Sequence, residues 1–111
     1  MQQKDLLKKK CGPCEKGGKP MSREEAQDYV DESYHWVLSE DAKKISKEYK
    51  FADFIGAINF VDRIADIAEE EGHHPNIHIN YNIVTLELWT HKIGGLSVND
   101  FIIAAKVDAM Q

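Results

Sequence analysis

Apolar residues recur along this chain in two periods, and the switches between them lay out seven elements. Ser22-Arg23-Glu24-Glu25 is a capping-box pattern, in which a serine at the N-cap and a glutamate three residues on satisfy each other's backbone amides. It predicts a first helix from there to about Tyr34, with Ala26, Tyr29, Val30 and Ser33 on its inner face. Trp36-Val37-Leu38 reads as a short strand and Ser39 to Ala42 as a turn. Ile45 to Phe51 reads as a second strand with Ile45, Tyr49 and Phe51 on one side, although Lys47 interrupts the alternation. From Asp53 to Glu71 the period changes to three and four. Phe54, Ile55, Ile58, Val61, Ile64, Ala65 and Ala68 predict a helix with one buried stripe. Gly72 suits its end, and Pro75 prevents it from resuming.

The period then returns to two. Ile77, Ile79 and Tyr81 alternate with polar residues, as do Val84, Leu86 and Leu88, so a hairpin is expected with its turn at Tyr81-Asn82-Ile83. After Gly94-Gly95, Ser97 with Asp100 forms a second capping box and Leu96 with Phe101 a hydrophobic staple, predicting a last helix over roughly 98–110. The order α-β-β-α-β-β-α points to an α+β fold, an antiparallel sheet with helices packed on one face.

Composition narrows the function. With 111 residues, of which 42% are hydrophobic, the chain fits one domain, read as residues 22–111 behind a Gly-, Pro- and Lys-rich leader at 1–21. The net charge of −5 provides no basic surface for nucleic acid or anionic lipid. Apolar runs are a few residues long, against the roughly 20 that span a bilayer. The opening Met-Gln-Gln-Lys-Asp-Leu-Leu-Lys-Lys-Lys has no apolar region resembling a secretory signal, so a cytoplasmic location is expected. Cys11-Gly12-Pro13-Cys14 could be half of a zinc site or a redox pair. No second cysteine pair completes a tetrahedron, and the motif sits in a turn-rich stretch rather than between a strand and a helix.

Three of the five histidines fall where this layout can bring them together. His73 and His74 stand where the long helix stops, and His91 is expected to end the last strand. An imidazole titrates near neutrality, so neighbouring rings can supply an acid and a base at once. The carbonyl end of the long helix lies beside His73 and favours a protonated ring there. His35 and His78 read as ordinary residues beside the core or on the polar side of a strand. A metal site is disfavoured, because Pro75 blocks the helix that would bring His74 and His78 to one face.

The pattern Glu69-x3-His73-His74-Pro75-x5-Tyr81-x9-His91-x8-Asp100 resembles the signature of the pterin-4a-carbinolamine dehydratase family. Trp36, Phe51-Ala52-Asp53-Phe54, Thr90-His91 and Gly94-Gly95-Leu96-Ser97 add to the likeness, which spans about Ser22 to Met110. The resemblance implies a four-stranded antiparallel sheet and a homodimer or homotetramer. It implies a hydro-lyase that removes water from a 4a-hydroxytetrahydropterin to give quinonoid dihydropterin, recycling the pterin used by aromatic amino-acid hydroxylases. His73, His74 and His91 then match the catalytic histidines, and no metal or cofactor is called for. Glu69, Gly72, Pro75, Trp36 and the backbone around Trp89 and Thr90 become expected substrate contacts. Asp100 becomes a supporting residue, as a cap or in orienting His91. Gly72 departs from the family, which often has an acidic residue there, so a carboxylate contact at that position is absent. The alternative is a dimeric pterin-binding or transcription-cofactor-like interaction module without catalysis; retention of all three histidines favours the enzyme.

Overall fold

A computed structural model describes Leu6 and residues 19–110. The elements follow the expected order: α1 (Arg23–Asp31), β1 (Val37–Leu38), β2 (Ile45–Lys50), α2 (Phe54–Glu71), β3 (Asn76–Asn80), β4 (Ile83–Leu88), a 3-10 turn at His91–Ile93, and α3 (Val98–Ala109). The strands form one antiparallel sheet in the order β1-β2-β4-β3. Two-residue periodicity puts Ile45, Tyr49, Val84, Leu86 and Leu88 on one face, where all are buried. Ala57, Phe60 and Ile64 of α2 and Phe101 to Ala105 and Val107 of α3 belong to the same core, as does Leu6. α3 is buried on nearly every side, in keeping with its apolar run from Phe101 to Ala105. Tyr29 stacks on Phe101 at 4.8 Å and ties α1 to it. Cys11 and Cys14 lie outside the described residues.

Several expectations change in detail. The first helix ends at Asp31, not near Tyr34, and His35 takes a positive φ of 67° before β1. In α2 the buried stripe is Ala57, Phe60, Ile64 and Ala68, while Phe54 and Ile55 are exposed. This helix is apolar on more than one face, so spacing alone could not tell which face meets the sheet. Tyr81 leaves the strand alternation for a left-handed turn position, φ 55°, with its ring exposed.

Lys47 does not break the pattern of β2. It faces the helices with Ile45 and Tyr49, and its ammonium meets Asp108 at 2.7 Å. Asp108, near the end of α3, also accepts hydrogen bonds from the Trp36 indole at 2.9 Å and the Tyr49 hydroxyl at 2.5 Å. Burial, with the adjacent carboxylate, pushes the Tyr49 hydroxyl far above the ordinary tyrosine range. Trp36 is itself 3% exposed, so its ring belongs to the core rather than to a substrate platform.

Removing this carboxylate strands three donors at once. Asp108→Ala should therefore cost about 3–5 kcal/mol. That corresponds to a fall in Tm of about 10–20 °C by scanning calorimetry.

Candidate active site

Two chain reversals build the site. Gly72 closes α2 at φ 67°, its N–H bonded to the Ala68 carbonyl at 2.9 Å, a conformation an L side chain would strain. Pro75 opens the way into β3, so His73 and His74 occupy the short bend between them. The second reversal follows β4. Thr90 pairs with Gly95, N to O 2.8 Å, around the 3-10 turn that begins at His91. Gly95 is required by crowding: a Cβ there would stand 2.5 Å from the Pro20 Cβ.

Asp100 links the two reversals. It is fully buried on the first turn of α3. Its Oδ2 accepts from the Ser97 N–H at 3.0 Å and the Thr90 hydroxyl at 2.9 Å, and its Oδ1 lies 2.6 Å from His73 Nε2. Thr90 Oγ1 also lies 2.7 Å from Ser97 Oγ. With Asp100 ionised, its carboxylate can only accept, so Nε2 of His73 donates to it, and Nδ1 makes no hydrogen bond to a described residue.

The other two histidines are held more loosely. His74 Nε2 is 3.5 Å from Glu69 Oε2, with both side chains largely exposed, too long for a firm hydrogen bond. His91 is exposed and stacks on Trp89, centroids 4.2 Å apart and planes 30° from parallel. Lys44 Nζ sits 4.4 Å from the Trp89 ring centroid.

The expected residues divide accordingly. His73, Asp100 and Thr90 form one hydrogen-bonded unit, and His91 follows Thr90 directly in the chain. Asp100 serves as the N3 residue of the capping box and also holds a histidine, but that histidine is His73, not His91. His91 begins a 3-10 turn rather than ending the strand. Thr90 is 3% exposed and its backbone is committed to Gly95, so it supports the site from behind rather than offering backbone groups to a ligand. Gly72 and Pro75 shape the chain, and Trp36 is absent from the site. Lys44 was missed because its relation to Trp89 exists only in the strand register, which sequence spacing does not supply. His78, expected to be ordinary, pairs with Glu87 at 3.1 Å on the outer face of the hairpin. Among the described residues, no group of three or more His, Cys, Asp and Glu is placed to hold a metal ion. No described helix is long and apolar enough to cross a membrane.

Comparison with known proteins meets this geometry from another side. Residues 19–110 match the family described as pterin 4 alpha carbinolamine dehydratase. The chain belongs to this family of hydro-lyases. A Halorhodospira halophila relative named for the same dehydratase is 45% identical over 105 residues, covering 95% of this chain and 96% of its own. Pterin-4-alpha-carbinolamine dehydratase 2, mitochondrial, of Arabidopsis thaliana is 43% identical over 96% of this chain and 59% of its own. In three dimensions the chain is similar to a transcriptional coactivator/pterin dehydratase from Brucella melitensis. That likeness has a TM-score of 0.78 and 28% identity, over 82% of this chain and 97% of the other.

The dehydratase signature thus falls on a unit whose centre is Asp100. Asp100→Asn keeps the volume but leaves a single acceptor oxygen. It should destabilise by about 1–3 kcal/mol in chemical denaturation. In ¹⁵N NMR spectra of the imidazoles, it should release His73 from its single tautomer.

Proposed function

We propose that this chain dehydrates a 4a-hydroxytetrahydropterin to quinonoid dihydropterin by general acid-base catalysis through His73, His74 and His91, and so recycles pterin for aromatic amino-acid hydroxylases. Family membership and the names of its relatives support the dehydratase activity itself. The observation that carries the histidine mechanism is the shared carboxylate. Asp100 fixes His73 through one oxygen and, through the other, the residue that precedes His91.

The chemistry asks for little more. Hydroxide leaves C4a while N5 loses its proton, so an acid must assist the departing oxygen and a base must collect the N5 hydrogen. Electrons are not transferred, and the residues present can handle both protons. His73, with Nε2 committed to Asp100, can accept or return a proton at Nδ1 in the manner of an oriented base. His74 and His91, more exposed, can meet substrate directly. Glu69, beside His74, can accept hydrogen bonds from amino and ring N–H groups of a pterin.

The Brucella protein is described as both coactivator and dehydratase, which keeps an interaction role in view. The committed Asp100–His73 pair favours the catalytic reading, since a docking module has no need of a buried carboxylate holding an imidazole. We also read the protein as a homodimer or homotetramer acting on a small-molecule pterin, without metal or cofactor. Exposed Phe54 and Ile55 on α2, and Ile79 on the edge strand β3, support self-association.

Stopped-flow dehydration of a synthetic 4a-hydroxytetrahydropterin tests the mechanism. His73→Ala and His91→Ala should each lower kcat/KM by about 10²- to 10⁴-fold, with far-UV circular dichroism unchanged. Full activity in both variants would refute it. Light scattering during size exclusion should give a mass of two or four chains, and Ile55→Glu should shift it downward.

A further inference from the structure

The ring nitrogens of His91 make no hydrogen bond to a described residue, whereas His73 has given one nitrogen to Asp100 and His74 lies near Glu69. His91 is nevertheless given a fixed surface by the Trp89 indole, 4.2 Å away. The indole is engaged a second time. Extending the β2–β4 register, in which Ile45 stands opposite Leu88, by one pair sets Lys44 opposite Trp89, and the ammonium lies 4.4 Å from the ring centroid. Lysine thus approaches the indole from across the sheet, and histidine approaches it from along the chain.

We propose that Lys44 and Trp89 are positioning residues for His91: the indole sets the plane of the imidazole, and the lysine holds the indole in the rotamer that presents that surface. The proposal rests on the reading of His91 as a catalytic residue.

The argument is one of degrees of freedom. A hydrogen bond orients an imidazole at the expense of a nitrogen and selects its tautomer, as Asp100 does for His73. Contact through the ring face orients it and leaves both nitrogens available, one to take a proton and the other to release one. His91 needs such support, because it is exposed and begins a three-residue turn with no side-chain cap. An unsupported side chain there would spread over several rotamers. Trp89 would be mobile for the same reason, as it lies one residue past the end of β4 and is only partly buried. Lys44 restrains it by the attraction between an ammonium and an aromatic face, which a neutral side chain of similar length cannot supply.

Four variants test this: Trp89→Leu, Lys44→Met, Lys44→Arg and His91→Ala, each in the full chain. Trp89→Leu should reduce kcat by about ten-fold or more, since small misplacements of a reacting group are costly. Lys44→Met should reduce kcat by about three-fold, and Lys44→Arg, which keeps the cation over the ring, should restore it. In both Trp89→Leu and Lys44→Met, KM should stay close to that of the parent. In NMR spectra, indole stacking should move the His91 ring protons upfield, and Trp89→Leu should return them to ordinary positions. Lys44→Met should return them part of the way. If His91→Ala keeps full kcat, the catalytic reading beneath the proposal is overturned. If His91→Ala is inactive, the positioning role is overturned by parental kcat in Lys44→Met, by a loss confined to KM, or by failure of arginine to restore. Should Trp89→Leu not fold, the two Lys44 variants and the ring-proton shifts decide the matter alone.

Discussion

Asp100 has no contact with solvent, and a carboxylate in that position is tolerated only when its oxygens are satisfied by donors of fixed geometry. Its partners come from three places in the chain: the start of α3, the end of β4 and the bend after α2. Satisfying one buried charge therefore obliges these three segments to meet. Much else about the site follows. The turn holding His91 starts beside Thr90, and the ring of His73 is presented with one nitrogen committed and one available. The cost of burying the charge is offset by an N–H, a hydroxyl and an imidazole, and the same three contacts constrain the position of the chemistry.

Much of this was legible in the sequence. The two capping boxes marked helix starts without ambiguity, because each requires a particular residue at both ends of a four-residue span. Gly72 followed by Pro75 fixed the end of α2. The strand alternation at Val84, Leu86 and Leu88 gave the buried face of β4 directly. The family signature named the histidines. The errors lie where one-dimensional pattern meets three-dimensional choice. α2 has apolar residues over a wide arc, and only packing selects Phe60 over Phe54. Lys47 looked like an interruption because its partner, Asp108, is 61 residues away. Asp100 was read as a cap or a partner of His91, since sequence distance gave no sign that the bend at His73 would return to it.

The three histidines also differ in how they are held. Hydrogen bonding, a loose neighbouring carboxylate and an aromatic face impose different restraints, from the buried Asp100 carboxylate 2.6 Å from His73 to the exposed Glu69 carboxylate 3.5 Å from His74. On the proposed mechanism, a dehydration that moves two protons benefits from such inequality, because rings held differently can take different parts. The outer face of the sheet contributes through Lys44 and Trp89, although the core packs entirely on the other side.

α3 carries a buried carboxylate near each end, Asp100 toward the chemistry and Asp108 toward Lys47, Tyr49 and Trp36. At 1.5 Å per residue, these anchors stand about 12 Å apart along the helix. One helix therefore ties the bend at His73 to the cluster of Lys47, Tyr49 and Trp36, and a substitution at either carboxylate alters the seating of the element that bears the other.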